Sequence, residues 1–242
     1  MEKRPLSRPL PFLRMRLARH PPHSPASPCC TRGSILAIMK LALHACCGPC
    51  LIEPLDALAP DAASLVIVYA NPNIHPLGEY ERRRDTLASY AEAVGVPLVE
   101  VPYDPAAWLT EVGRHGSDRA ARCRACYRLR LGLVADWAAR EGYDALATTL
   151  TVSPYQDAGA IDEEGEGAAR AVGIDYVHRD FRDRYPAATS RSRELGMYRQ
   201  NYCGCLLSEI EAREEREARR AARAAKRQSQ PIPQPNSRGT SD

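Results

Sequence analysis

The chain has no long apolar run, little net charge and almost no lysine, and each shortage excludes something. No stretch approaches the roughly 18–20 uninterrupted apolar residues that a membrane helix needs. The longest candidate, Ile35–Ala45, is short and is broken by Lys40, so no membrane partner is expected. A net charge of +3 over 242 residues excludes a chain built throughout as a basic nucleic-acid binder. Of 33 basic residues only Lys3, Lys40 and Lys226 are lysines. With abundant Ala and Pro, that skew reads as a coding bias, so a single arginine carries little information. An apolar secretory segment is lacking too, because Arg14, Arg16 and Arg19 interrupt it. A cytoplasmic, reducing setting is therefore expected, with nine cysteines serving metal or redox chemistry and not a disulfide scaffold.

Seven of those cysteines fall in three packets: Cys46, Cys47 and Cys50 in HACCGPC, Cys123 and Cys126 in CRAC, Cys203 and Cys205 in CGC. Adjacent thiols rarely reach each other without strain, so the first packet is no simple staple. At a helix N-terminus its thiolates would be favoured by free N–H groups and the helix dipole. A Cys-x-x-Cys pair on a helix puts two sulfurs on one face. Together the first two packets make a four-thiolate set that suits zinc or a 4Fe–4S cluster, and spacing does not separate the two. A ferredoxin-type Cys-x-x-Cys-x-x-Cys run is absent. Cys-Gly-Cys points to redox work, since a dithiol closing to a disulfide delivers two electrons and two protons.

Hydrophobic content of 44% is ordinary for a soluble fold of this length. Residues 1–38 hold seven of the twenty prolines and seven basic residues against one acid. They read as a disordered extension, with Met39 the expected true start and a transit peptide the lesser alternative. Strands are expected at Lys40–His44, Ser64–Ala70, Val96–Val101, Tyr143–Thr148 and Ile174–Val177. Helices are expected at Glu79–Gly95, Ala106–Val112, Arg124–Glu141 and Ile161–Val172. The alternation predicts a doubly wound, mostly parallel α/β sheet with helices on both faces. Ligands then bind beyond the carboxyl ends of the strands, where HACCGPC and TTLTVSPYQ fall. The catalytic domain is expected over 39–210, and 211–242 as a charged helical and flexible tail. That tail reads as a solvated helix, with an RNA-facing helix the alternative.

Asn71-Pro-Asn73-Ile-His75-Pro is a turn signal followed by Glu79, Tyr80 and Arg83. Asn73, His75, Glu79 and Tyr80 are candidates for contact with a polar substrate. Tyr155 and Tyr202 sit inside motifs, where an aromatic face can stack on a base. Turn formation explains Asn73 equally well, and core packing is an even alternative for Tyr155 and Tyr202. His44 is expected to be a structural histidine of the core strand. Arg119, Arg122, Arg124, Arg128 and Arg130 are candidates for phosphate contacts.

LHACCGPC, NPNIHPLGEYERR, CRACYRLRL, TTLTVSPYQ and YCGCLLS, in that order over residues 40–208, resemble the epoxyqueuosine reductases of the QueH type. The resemblance implies reduction of the epoxide of epoxyqueuosine, at the wobble position of tRNA, to queuosine. It implies a 4Fe–4S cluster on Cys46, Cys47, Cys123 and Cys126, a redox-active disulfide between Cys203 and Cys205, and no cobalamin. A second, single iron beside the cluster is also implied, with Cys50 the nearest spare thiolate. An electron donor, not identified by sequence, completes the expected partners. Two other readings compete. An ATP-dependent tRNA-thiolating enzyme shares the expected fold class, but would carry Ser-Gly-Gly-x-Asp-Ser where HACCGPC stands. A zinc-stabilised RNA-binding module would need no third cysteine packet.

Overall fold

The computed structural model describes residues 39–228. The expected extension at 1–38, with Cys29 and Cys30, and the last residues of the tail lie outside the described residues. Five strands form one parallel sheet in the order β3-β2-β1-β4-β5: β1 Lys40–His44, β2 Ser64–Tyr69, β3 Leu98–Glu100, β4 Ala145–Thr148 and β5 Asp175–Tyr176. Among the described residues, seven α-helices accompany them: α1 Gly48–Leu58, α2 Leu77–Val94, α3 Pro105–Glu111, α4 Arg119–Arg140, α5 Ala158–Val172, α6 Tyr185–Glu194 and α7 Leu206–Gln228.

The strands are buried on both faces, and their alternation feeds two separate cores. Leu41, Leu43, Ile67, Tyr69, Ala145 and Ala147 face α1, α2 and α6. Ala42, Val66, Val68 and Leu146 face α4 and α5, against Tyr127, Leu131, Val134 and Ile161. From β1 the chain winds outward through β2 and β3, then returns to lay β4 on the other side of β1. The direction of winding therefore reverses between β1 and β4, and that switch point is where such sheets open a ligand crevice. HACCGPC leaves β1 there and TTLTVSPYQ leaves β4 there.

Several helix starts differ from the sequence expectation, each for a capping reason. α4 begins five residues before Arg124, because Asp118 caps it through the Ala121 amide at 3.1 Å. Cys123 and Cys126 are thereby embedded in helix. α5 begins at Ala158, where Asp157 accepts from the Ala160 amide. The terminal helix starts at Leu206, directly after the CGC packet, and crosses residue 210 without a break. α6 has no counterpart among the expected elements. Its buried residues are only Ala188 and Ser192, so it carries no apolar stripe to announce it. Ion pairs hold it to α1 instead, from Arg191 to Glu53 and Asp56.

Candidate metal and redox site

Local structure places each packet. Cys47 is the N-cap of α1 in an extended conformation, and Pro49 supplies the first turn. Cys46, Cys47 and Cys50 are thereby gathered with their sulfurs within 4.8 Å of one another. Cys123, Cys126, Tyr127 and Arg130 follow the i, i+3, i+4, i+7 stripe of α4, and all four line one cavity. The CGC packet closes over it from the loop before α7. That cavity has a volume of about 410 Å³, within the range of small-ligand sites. Cys46, Cys50, Cys123, Cys126, Cys203 and Cys205 all line it. Cys47 lies just behind, 3.8 Å from Cys46 and 2.9 Å from the Gln200 amide nitrogen.

The first trio shares its charge unequally. Hydrogen bonds from Cys47 and Cys50 hold the Cys46 thiol well below its ordinary value. The same bond to Cys46 pushes Cys47 up to about 12, and Cys50 is also raised, first by its bond to Cys46. Cys46 is thus the first of the three to give up its proton. Burial raises Cys123 and Cys126. A soft cation would release those protons and relieve the burial at once. Arg130, fully buried, lies in electrostatic reach of Cys46, Cys126 and Cys203, one thiol from each packet.

The Asn71–His75 turn and the start of α2 hold the CGC packet. Arg83 donates to the carbonyls of Cys203 at 2.8 Å and Tyr202 at 3.2 Å. Glu79 fixes Arg83 at 2.7 Å and accepts from the Tyr198 hydroxyl at 2.8 Å. The His75 amide donates to the Gly204 carbonyl, and the Tyr202 hydroxyl to the His75 carbonyl. Gly204 sits at φ +141°, and a Cβ there would come within 3.0 Å of Asn73 and Ile74. Only glycine fits both that conformation and that approach.

Of the six residues expected to meet substrate, Asn73, Tyr155 and Tyr202 line the cavity. His75, Glu79 and Tyr80 do not. His75 packs on Trp108, and Tyr80 is buried between Tyr69 and Tyr103 with its hydroxyl on Glu100. Among the candidate phosphate ligands, Arg124 and Arg128 turn away to pair with Glu163 and Glu164 of α5. Arg122 is buried and paired with Glu211, and Arg130 donates to Asn71 at 2.6 Å. His44 is fully buried, with its Nδ1 2.9 Å from the Thr148 hydroxyl. Burial lowers its pKa to about 3 and keeps it neutral.

Sequence reasoning missed Gln200 and Trp108, for which no motif gave a signal. It also passed over Arg83 and Arg130 as anchors, because arginines were discounted. The buried polar atoms without a protein partner belong to His44, Asn73, Trp108, Arg122, Arg130, Gln156 and Gln200 among the described residues. All of these but His44 line the cavity. Orphaned donors and acceptors are costly, and their concentration here fits a charged or polar guest. With the grouped sulfurs, the donor set suits a thiolate-bound metal cluster.

A parallel sheet with a thiol-lined crevice at its switch point marks an α/β fold with a metal-competent site. Residues 41–211 match the family described as Epoxyqueuosine reductase QueH. A protein of that name from Dehalococcoides mccartyi is 32% identical over 173 residues, covering 71% of this chain and 93% of its own. One from Thermotoga maritima is 32% identical over 180 residues, covering 72% and 92%. The chain belongs to the epoxyqueuosine reductase QueH family, whose members are oxidoreductases. The U34-tRNA thiolase NcsA from Methanococcus maripaludis, solved with its [4Fe-4S] cluster, aligns at a TM-score of 0.48 and 14% identity, over 75% of this chain and 66% of its own.

Proposed function

We propose that this epoxyqueuosine reductase acts on tRNA carrying epoxyqueuosine and divides the work between a metal cluster and the CGC dithiol. Cys46, Cys47, Cys123 and Cys126 would hold the 4Fe–4S cluster, with Cys50 left for an additional iron. When bound, the cluster supplies single electrons and the additional iron a Lewis acid. Cys203 and Cys205 supply the pair: their oxidation to a disulfide yields two electrons and two protons. The epoxide takes both, its oxygen leaves as water, and an alkene remains. Gly204 allows the tight ring, and Arg83 keeps the packet at the cavity wall through the Cys203 and Tyr202 carbonyls.

Asn73, with both amide atoms unpartnered, would read polar groups of the modified base. Tyr155, 69% exposed and edge-on to Tyr185, offers a face at the cavity for stacking. An anticodon loop already presents unstacked bases. The observation that carries the reading is convergence: thiols from three distant segments line one cavity around Arg130.

The test is anaerobic turnover of epoxyqueuosine tRNA with dithionite, read as queuosine by mass spectrometry of the digested RNA. Wild type should convert the substrate, and Cys203→Ser and Cys205→Ser should fall to background. Full turnover by Cys203→Ser would make the dithiol a recycling device. No turnover by cluster-loaded wild type would reject the assignment. For Tyr155→Ala, removing a stacking face worth about 1–3 kcal/mol should raise KM roughly tenfold with little change in kcat.

A further inference from the structure

Helix α7 continues to Gln228, well past residue 211, where the family match ends. Its outer half is therefore a feature of this chain that the common site does not explain. The charges on it are segregated. At 3.6 residues per turn, Arg213, Arg216, Arg219, Arg220 and Arg223 share one sector roughly 120° wide. Glu211, Glu214, Glu215 and Glu217 all fall outside that sector, Glu209 falls inside it one turn before Arg213, and no acid follows Glu217 in the helix. The opposite side of the outer half is alanine: Ala218, Ala221, Ala222, Ala224 and Ala225. Residues 217–226 are all exposed.

Two properties of this stripe point to a ligand. It repels itself, because Arg216 with Arg220 and Arg219 with Arg223 are like charges one turn apart, an arrangement that destabilises a bare helix. Arg213, Arg220 and Arg223 form no ion pair among the described residues. Second, the stripe passes the site: Arg216 and Arg219 line the cavity beside Arg119 and Arg122, where Glu211 and Glu215 also lie and pair with Arg122, Arg119 and Arg219. Arg216 is oriented there by the Asn201 carbonyl at 3.1 Å. From that mouth the row leads outward, about 10 Å from Arg216 to Arg223 at 1.5 Å per residue.

We infer that the arginine stripe of α7 binds the phosphate backbone of the substrate tRNA next to the base held in the cavity. This rests on tRNA being the substrate. A base inside the cavity brings its flanking phosphates to the mouth, which the stripe passes, and a polyanion crossing several turns relieves all the repulsions together. An acidic protein would meet the same charges. The outer half, however, surrounds the stripe with alanine and offers no large apolar or aromatic anchor of the kind protein interfaces use.

The test is equilibrium binding of epoxyqueuosine tRNA to the holoenzyme across a salt series, for wild type and for Arg219→Gln/Arg220→Gln/Arg223→Gln. Glutamine keeps helix propensity, and circular dichroism checks that α7 persists. The inference predicts at least a tenfold rise in Kd at low salt. It also predicts a log Kd against log salt slope shallower by about two, since each single-strand phosphate neutralised by the protein adds about 0.7 to that slope. The corresponding triple lysine variant should restore both. Wild-type binding with an unchanged Kd and slope in the glutamine variant would overturn the inference and leave the tRNA reading standing. So would unchanged RNA binding coupled to slower reduction by a protein electron donor, which would assign the stripe to that donor. A wild-type enzyme with no affinity for the tRNA would remove both the inference and the reading beneath it.

Discussion

Arg130 and Arg83 are buried guanidinium groups in an arginine-rich chain. Burial changes their meaning, because a guanidinium out of water must have partners. Arg130 has thiols from all three packets around it, so its charge should ease electron uptake at the proposed cluster. Arg130→Met should lower the cluster midpoint by the equivalent of about 1–2 kcal/mol at an effective dielectric of about 20. A redox titration followed by electron paramagnetic resonance checks the sign, and an unchanged midpoint would show the charge is screened. His44 gives a second prediction. Its folded pKa, about 3, lies below the ordinary 6.5, so between these values the unfolded chain binds a proton that the folded chain does not. Its contribution to stability is complete above pH 6.5 and falls as the solution is acidified toward 3, by up to about 1.4 kcal/mol per pH unit. Urea unfolding under reducing conditions should show that slope, and His44→Asn should flatten it.

At the scale of elements, strands and the chief helices were readable because the sheet is buried on both faces and β-branched runs mark it. What escaped was stabilised by interactions a single chain does not advertise. α6 rests on ion pairs to α1, and α4 starts early because Asp118 caps it. The turn before α2 and the start of α2 read as a substrate-binding segment, yet His75 of the turn and Glu79 of the helix serve the CGC packet. That dependence makes Gly204 a sensitive position. Gly204→Ala should displace the loop from Asn73 and Ile74, and turnover should fall further than stability does, read by activity beside urea unfolding. A purely structural test lies in α5, where a Cβ on Gly165 would run into the Tyr176 ring. Gly165→Ala should cost about 1–3 kcal/mol through overpacking of α5 against β5, seen as a lower unfolding midpoint.

For the whole molecule, topology is what turns scattered cysteines into a centre. The reversal of winding between β1 and β4 opens the crevice, α1 and α4 carry two packets to its walls, and the segment before α7 closes it with the third. The sequence shows the packets and the alternation of elements; their meeting depends on strand order, which only the fold supplies. The metal identity stayed open on spacing alone, because zinc and a 4Fe–4S cluster accept the same four thiolates. The most direct measurement is therefore the metal itself: iron and acid-labile sulfide per chain, with a visible spectrum, for protein purified without oxygen. The account predicts a coloured protein with about four sulfides and at least about four irons per chain, sharply reduced in Cys123→Ser. A colourless protein holding one zinc and no sulfide would contradict it.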